Sequence, residues 1–358
     1  PYYQRQTMTS STSSAQSAVN SLTTHYGGDY PESHIPALWS MATRNTLAYA
    51  SGPPSCPAGH LGYPCGAAFG IGLLLDRGGT DRYLAYHQAQ GFAYARAVGA
   101  LWDADGNDEY MLHPSDVLYP SAQDPDGSNG SLGQGAGFGR RADATPDRTF
   151  MSGGLGVLGD SAGDDRYTAA IFAQGTGFWY GTGLLIDRAG DDHYDGQWYV
   201  QGGAAHFAIA VLLDEGGADV HNADARLQNV TLGGGHDFST AWLVDRGTGA
   251  DEYHSPNLSI GAGNAAGAGF FADAGGDDVY ESESDFSFGN ASIADTSDDF
   301  RRMVGTVGVF MDANGTDTYT RPTADPVAND ASWTQTVNDG EHGEDGAGID
   351  ASGGELGF

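Results

Sequence analysis

Short apolar runs, each closed by Asp, recur along this chain at a near-constant interval. The copies read LLLDRGGTDRY from Leu73, ALWDADGNDEY from Ala100, GVLGDSAGDDRY from Gly156 and LLIDRAGDDHY from Leu184. They continue as VLLDEGGADVH from Val211, WLVDRGTGADEY from Trp242, FFADAGGDDVY from Phe270 and VFMDANGTDTY from Val309. A second Asp follows the first across a Gly-containing loop, and Tyr (once His) stands two residues beyond it. Gly is too frequent for helices, and β-branched and aromatic residues fill the runs, so the pattern predicts short strands separated by turns. The apolar triplets before most first Asp residues are assigned to the core.

The first Asp residues are spaced 27, 57, 27, 27, 31, 28 and 39 residues apart. A unit of 27 residues suits one circuit of a two- or three-sided β-solenoid with rungs about 4.8 Å apart. The expectation is therefore an all-β repeat solenoid of eight or nine units. The rival is an antiparallel array with one hairpin per unit, because Asp-x-x-Gly also suits a type I hairpin turn. The 57-residue interval reads as two units with one copy disguised between Leu112 and Met151. A second insertion runs from Glu281 to Met303, and a degenerate ninth copy begins at Ile349. This gives an N-terminal cap over 1–66, partly helical around Ala15 to Leu22, a solenoid over 67–322 with insertions at about 113–150 and 281–303, and an acidic Gly-rich segment over 323–358. Gln recurs at a fixed place in the unit, at Gln90, Gln174 and Gln201.

Charge narrows the partners. The 358 residues carry 47 acids against 15 bases, all Arg, for a net charge of −32. Such a field repels nucleic acid and anionic membranes and opposes compaction unless salt or bound cations neutralise it. No apolar span is long enough for a transmembrane helix. The only cysteines, Cys56 and Cys65, have eight residues between them in a Gly- and Pro-containing loop. That spacing suits a local disulfide and an extracellular setting; a thiolate site with His60 and a pair of free thiols are the other readings.

The candidate ligands are the paired aspartates: Asp76 and Asp81, Asp103 and Asp108, Asp160 and Asp165, Asp187 and Asp192, Asp214 and Asp219, Asp245 and Asp251, Asp273 and Asp278, Asp312 and Asp317. Turn chemistry explains the first Asp and the Gly, since an Asx turn accepts nearby N–H groups and Gly takes positive φ freely. It does not explain the second Asp, nor the extra acids Asp105, Asp164, Asp191, Glu215 and Asp277. Stacked rungs would bring these carboxylates together, and Ca²⁺, which takes six to eight oxygens, would relieve the repulsion. Salt screening or protonation would relieve it too.

The second half of the loop, Gly-x-Asp-x-aromatic (Gly79, Asp81, Tyr83; Gly190, Asp192, Tyr194), resembles part of the nonapeptide of RTX-type calcium β-rolls. The likeness covers about five residues per copy and implies Ca²⁺ in a stack of β-turns. The unit here is 27 residues rather than nine, and the leading Asp has no counterpart there.

Tyr83, Tyr110, Tyr167, Tyr194, His221, Tyr253, Tyr280 and Tyr319 would form one aromatic column, either a packing ladder or an exposed platform for sugar rings. No catalytic constellation stands out. The sequence thus points to an extracellular, Ca²⁺-stabilised repeat protein with a structural or adhesive role, able to associate end to end or with a polysaccharide or cell surface. The alternatives are a carbohydrate-active β-helix enzyme with its site near the Leu112 to Met151 excursion, and a glycan-binding module, which needs the tyrosines exposed.

Overall fold

Each repeat closes one circuit of a three-sided parallel solenoid. The computed structural model describes residues 3–7, 47–51, 65–66, 70–124, 127–141, 150–223, 230–292, 303–323, 326–335 and 344–353. Among these there is no α-helix, and hence no helix able to cross a membrane. The helical reading around Ala15 to Leu22 and the Cys56 end of the disulfide reading lie outside the described residues.

The first side of each circuit is the apolar run. Ile71–Leu75, Val98–Trp102, Leu155–Gly159, Thr182–Asp187, Ile209–Asp214, Thr240–Asp245, Ala268–Asp273, Thr306–Ala313 and Glu344–Ala351 pair in parallel, in that order, as the long sheet. The second side begins after the Asp loop: Arg82–Ala85, Glu109–Leu112, Arg166–Thr168, His193–Gly196, Val220–Ala223, Glu252–Ser255, Val279–Ser282 and Thr318–Thr320 form the tyrosine sheet. The third side is a set of short strands, from Cys65–Gly66 to Ala291–Ser292. Parallel pairing in register, with Asp187 opposite Asp214 and Asp214 opposite Asp245, rules out the hairpin array. Antiparallel strands occur only at the ends of the long sheet among the described residues. Tyr3–Thr7 and Leu47–Ser51 cover the edge of Ile71–Leu75, and Ser332–Thr334 pairs with Glu344–Ala351. The N-terminal segment therefore caps the array with strands, as an exposed sheet edge requires.

Two readings are corrected by the structure. The 57-residue interval is one circuit, because Val98–Trp102 pairs directly with Leu155–Gly159. Its extra length falls between Leu112 and Ser131 and between Arg140 and Met151, the last two being paired by an antiparallel bridge. The apolar triplets do not all face the core: burial alternates, with Leu74 buried while Leu73 is half-buried and Leu75 exposed. One column, Leu74, Leu101, Leu158, Leu185, Leu212, Leu243, Phe271 and Phe310, is fully buried. Its neighbours form an outer face. The ninth copy, by contrast, is present, with Asp350 opposite Asp312.

Gln90, Gln174 and Gln201 line the corner after the tyrosine sheet, and Gln134 takes the same place in the circuit that carries the insertion. Each holds φ near +50° and donates from Nε2 to carbonyls of two successive rungs, as Gln174 does to Tyr167 and Asp195. The amides thereby fix rung spacing in a place where unpaired carbonyls would be costly.

Candidate metal centres

The Asp loop turns the chain from the long sheet to the tyrosine sheet, and it buries both aspartates of every copy. All sixteen predicted residues are buried, Asp317 being the most exposed at 8%. The two Asp columns do different things.

Except at Asp312, whose Oδ1 is buried without a partner, the first Asp is satisfied by protein groups. In most copies Oδ1 accepts the backbone N–H two residues on, as in Ala162 to Asp160 at 3.1 Å and Gly247 to Asp245 at 2.8 Å. In most copies Oδ2 accepts the phenol of the preceding rung. Tyr110 donates to Asp160 at 2.5 Å, Tyr167 to Asp187 at 2.5 Å and Tyr194 to Asp214 at 2.6 Å, with Tyr83 donating likewise to Asp103. Tyr253 lies within reach of both Asp245 and Asp273, and Tyr319 of both Asp312 and Asp350. Asp76, at the start of the column, caps its own loop.

The second Asp builds a ladder between rungs. Asp81 N–H donates to Asp108 Oδ1 at 2.6 Å, and the same bond repeats from Asp108 to Asp165, Asp165 to Asp192, Asp192 to Asp219, Asp219 to Asp251, Asp251 to Asp278 and Asp278 to Asp317. The last link runs from Asp317 N–H to Asn329, where a neutral amide takes the carboxylate's place. The other oxygen, Oδ2, is left over. In Asp108, Asp165, Asp192, Asp219, Asp251, Asp278 and Asp317 it is buried and has no hydrogen-bond partner. A buried carboxylate oxygen without donor or cation is costly, so this row is where a ligand belongs.

Ligand oxygens come together between consecutive rungs. Asp108 with Asp160 and Asp165, Asp165 with Asp187 and Asp192, Asp192 with Asp214 and Asp219, and Asp219 with Asp245 and Asp251 each bring three carboxylates within 4.8 Å of one another, as do Asp76, Asp81 and Asp103. Asp273, Asp278, Asp312 and Asp317 continue the same two columns in register. The donor set is hard oxygen throughout, which fits Ca²⁺ and disfavours thiolate- or imidazole-seeking metals. Burial first, and neighbouring aspartates second, push these carboxyls upward: Asp165 and Asp219 to about 9 and Asp251 to about 7.

The extra acids sit elsewhere. Asp105, Asp164, Asp191 and Asp277 are exposed and Glu215 is half-buried, on the outside of the loops. There they tie rungs together, Asp191 accepting from Ala218 N–H at 2.9 Å and Glu215 pairing with Arg246 at 3.2 Å. The clusters are built instead from the two buried Asp columns.

The aromatic column is a packing ladder. Its rings stack at centroid distances of 4.5 to 5.0 Å and are fully buried from Tyr110 to Tyr280, which removes the exposed sugar platform. His221 keeps the stack between Tyr194 and Tyr253 but carries no phenol, and both its ring nitrogens are buried without a partner. Burial pulls it down to about 3, so it is neutral in the core. Sequence reasoning missed Gln134 and the Asn329 terminus of the ladder, and it placed Asp350 in the ninth copy without naming it as a candidate ligand. Gln134-Gly135 repeats Gln174-Gly175, a signal that was available.

No protein-family model matches the chain, and no curated protein or solved structure is similar to it. Function is therefore argued from the geometry alone.

Proposed function

We propose that this chain is a Ca²⁺-stabilised structural solenoid of an extracellular assembly. The observation that carries the reading is the row of buried, unpartnered Asp Oδ2 atoms repeated on successive rungs. The second Asp of each pair of adjacent rungs, with the first Asp of the later rung, would hold the ion, which neutralises carboxylates that burial otherwise keeps protonated. The RTX-like Gly-x-Asp-x-aromatic half of the loop agrees with this choice of metal. Sites of this kind fill where calcium is millimolar, as it is outside cells. An ion on every rung stabilises an array and carries out no reaction that would need one special rung.

The long sheet suggests how such a scaffold associates. Its outward positions run Leu73 and Leu75, Trp102, Val157, Leu184 and Ile186, Val211 and Leu213, Trp242 and Val244, Phe270, Val309 and Met311. From Ile71 to Met311 none of them is charged, in a chain of net charge −32. Eight strands at about 4.8 Å and five residues at about 3.3 Å give roughly 630 Å², of the order of the ~800 Å² each partner contributes to a standard interface. Large uncharged patches of this size mark interaction surfaces. The fitting occupant is a second copy, because two such faces meet without opposing any of the like charge carried elsewhere. The antiparallel strands at the ends of the long sheet cover the edges that end-to-end stacking would use, so the association proposed is side by side. Sedimentation in calcium buffer is expected to show a dimer or larger species that Trp242→Glu with Leu213→Glu converts to monomer. A native chain that is monomeric at all concentrations rejects the association.

A further inference from the structure

The outward residues that directly follow the aromatic ladder also form a column. Thr168, Asp195, Asn222, His254, Glu281 and Thr320 are paired in register down the tyrosine sheet. They floor a groove of about 1040 Å³, closed at one end by Pro114, Ser115 and Gly127 of the inserted loop and bordered by Gln197 and Glu283. Five strand steps at about 4.8 Å make it roughly 24 Å long.

Its polar groups are held in place. Asp195 gathers Arg166, His193 Nε2 at 3.1 Å and Asn222 Nδ2 at 3.2 Å. His254 is fixed between Glu281 at 3.0 Å and Glu252 at 3.3 Å. Gln197, only 7% exposed, and Thr168 complete the lining, each with a side-chain oxygen that is buried without a partner.

We propose that this groove binds a linear oligosaccharide that bears no acidic groups. Sugar hydroxyls both donate and accept, which matches a floor of carboxylate, amide, imidazole and hydroxyl groups. The length suits an extended chain lying across several rungs. The carboxylates of the floor and the net charge of the protein repel polyanions. No large apolar side chain lines the groove, so it does not select an apolar ligand. Asp195 already has Arg166, so it does not call for a cationic one.

The test is titration calorimetry in calcium buffer with short linear neutral and N-acetylated oligosaccharides, with uronic-acid oligomers and oligolysine as comparisons. A neutral or N-acetylated oligomer is expected to bind and the two charged probes to bind at least tenfold more weakly. Asn222→Ala is expected to weaken binding by about tenfold, the loss of one or two hydrogen bonds. Asn222 is exposed, so its variant is expected to melt as the native chain does. Absence of binding at millimolar oligomer, preference for either charged probe, or native affinity in the folded Asn222→Ala chain overturns the proposal. None of these outcomes bears on the calcium sites.

Discussion

Chelating divalent cations at about pH 8 is expected to lower the melting temperature by about 10 °C or more, a loss of several kcal/mol of linked binding. Acidifying the same chelated sample toward pH 5 is expected to restore much of it. The reason is the state of the ladder without cations. Burial, and then repulsion from Asp103, Asp160, Asp187 and their equivalents, raises Asp108 to about 8, Asp165, Asp219 and Asp278 to about 9 and Asp251 to about 7. In the unfolded chain these groups titrate near 4. The folded state therefore holds protons that the unfolded state does not. This contribution is complete below about pH 4 and is lost as pH rises through 7 to 9. On the proposed reading Ca²⁺ takes the place of those protons, so stability in calcium is expected to hold at neutral and mildly alkaline pH, where chelated protein weakens. Calorimetric melts across pH, with and without chelator, measure both. Melting that falls with pH but ignores the chelator would leave protons alone in the ladder.

Gly190→Ala is expected to destabilise the chain by about 3 kcal/mol or more, among the larger effects of any single substitution. A Cβ on Gly190 would lie 1.5 Å from the carbonyl oxygen of Gly163, and the backbone there has φ of +154°. The contact propagates, since a Cβ on Gly217 would meet Gly190 O at 1.5 Å and one on Gly163 would meet Gly106 O at 1.3 Å. The loop glycines thus stack as a backbone column on which nothing larger fits. Ala189→Ser, one residue away and exposed, is expected to change stability by less than about 0.5 kcal/mol. Denaturant unfolding of both variants checks the contrast.

The repeat made most of the architecture legible. Asp, Gly and Tyr occupy the same corner in every circuit because each meets its own copy a rung away, so selection of one residue imposes it on all. What remained hidden was register. The inserted circuit between Asp103 and Asp160 looked like two because spacing counts residues and not strands; Gln134 followed by Gly135, Gly137 and Phe138 marks it as one. The triplets looked wholly buried because the outward residues, Leu73, Leu75 and Leu184 among them, are as apolar as Leu74 and Leu185. Period-two alternation is invisible when both faces are apolar. The extra acids looked like additional ligands because sequence places Asp191 beside Asp192 without saying that, in the loop before His193, the first is exposed and the second buried. The groove was unreadable for the same reason: Asp195, His254 and Glu281 follow the ladder residues and so face out, where no repeat constrains them.

The central claim is that the second-Asp column holds cations, and the most direct measurement is the number of calcium ions bound per folded chain, by equilibrium dialysis and elemental analysis at about pH 7.5. The expected result is several ions per chain, with fewer bound by Asp192→Asn and fewer again when Asp219→Asn is added. Stoichiometric binding that is indifferent to both substitutions, or no binding by a chain that is folded, contradicts it.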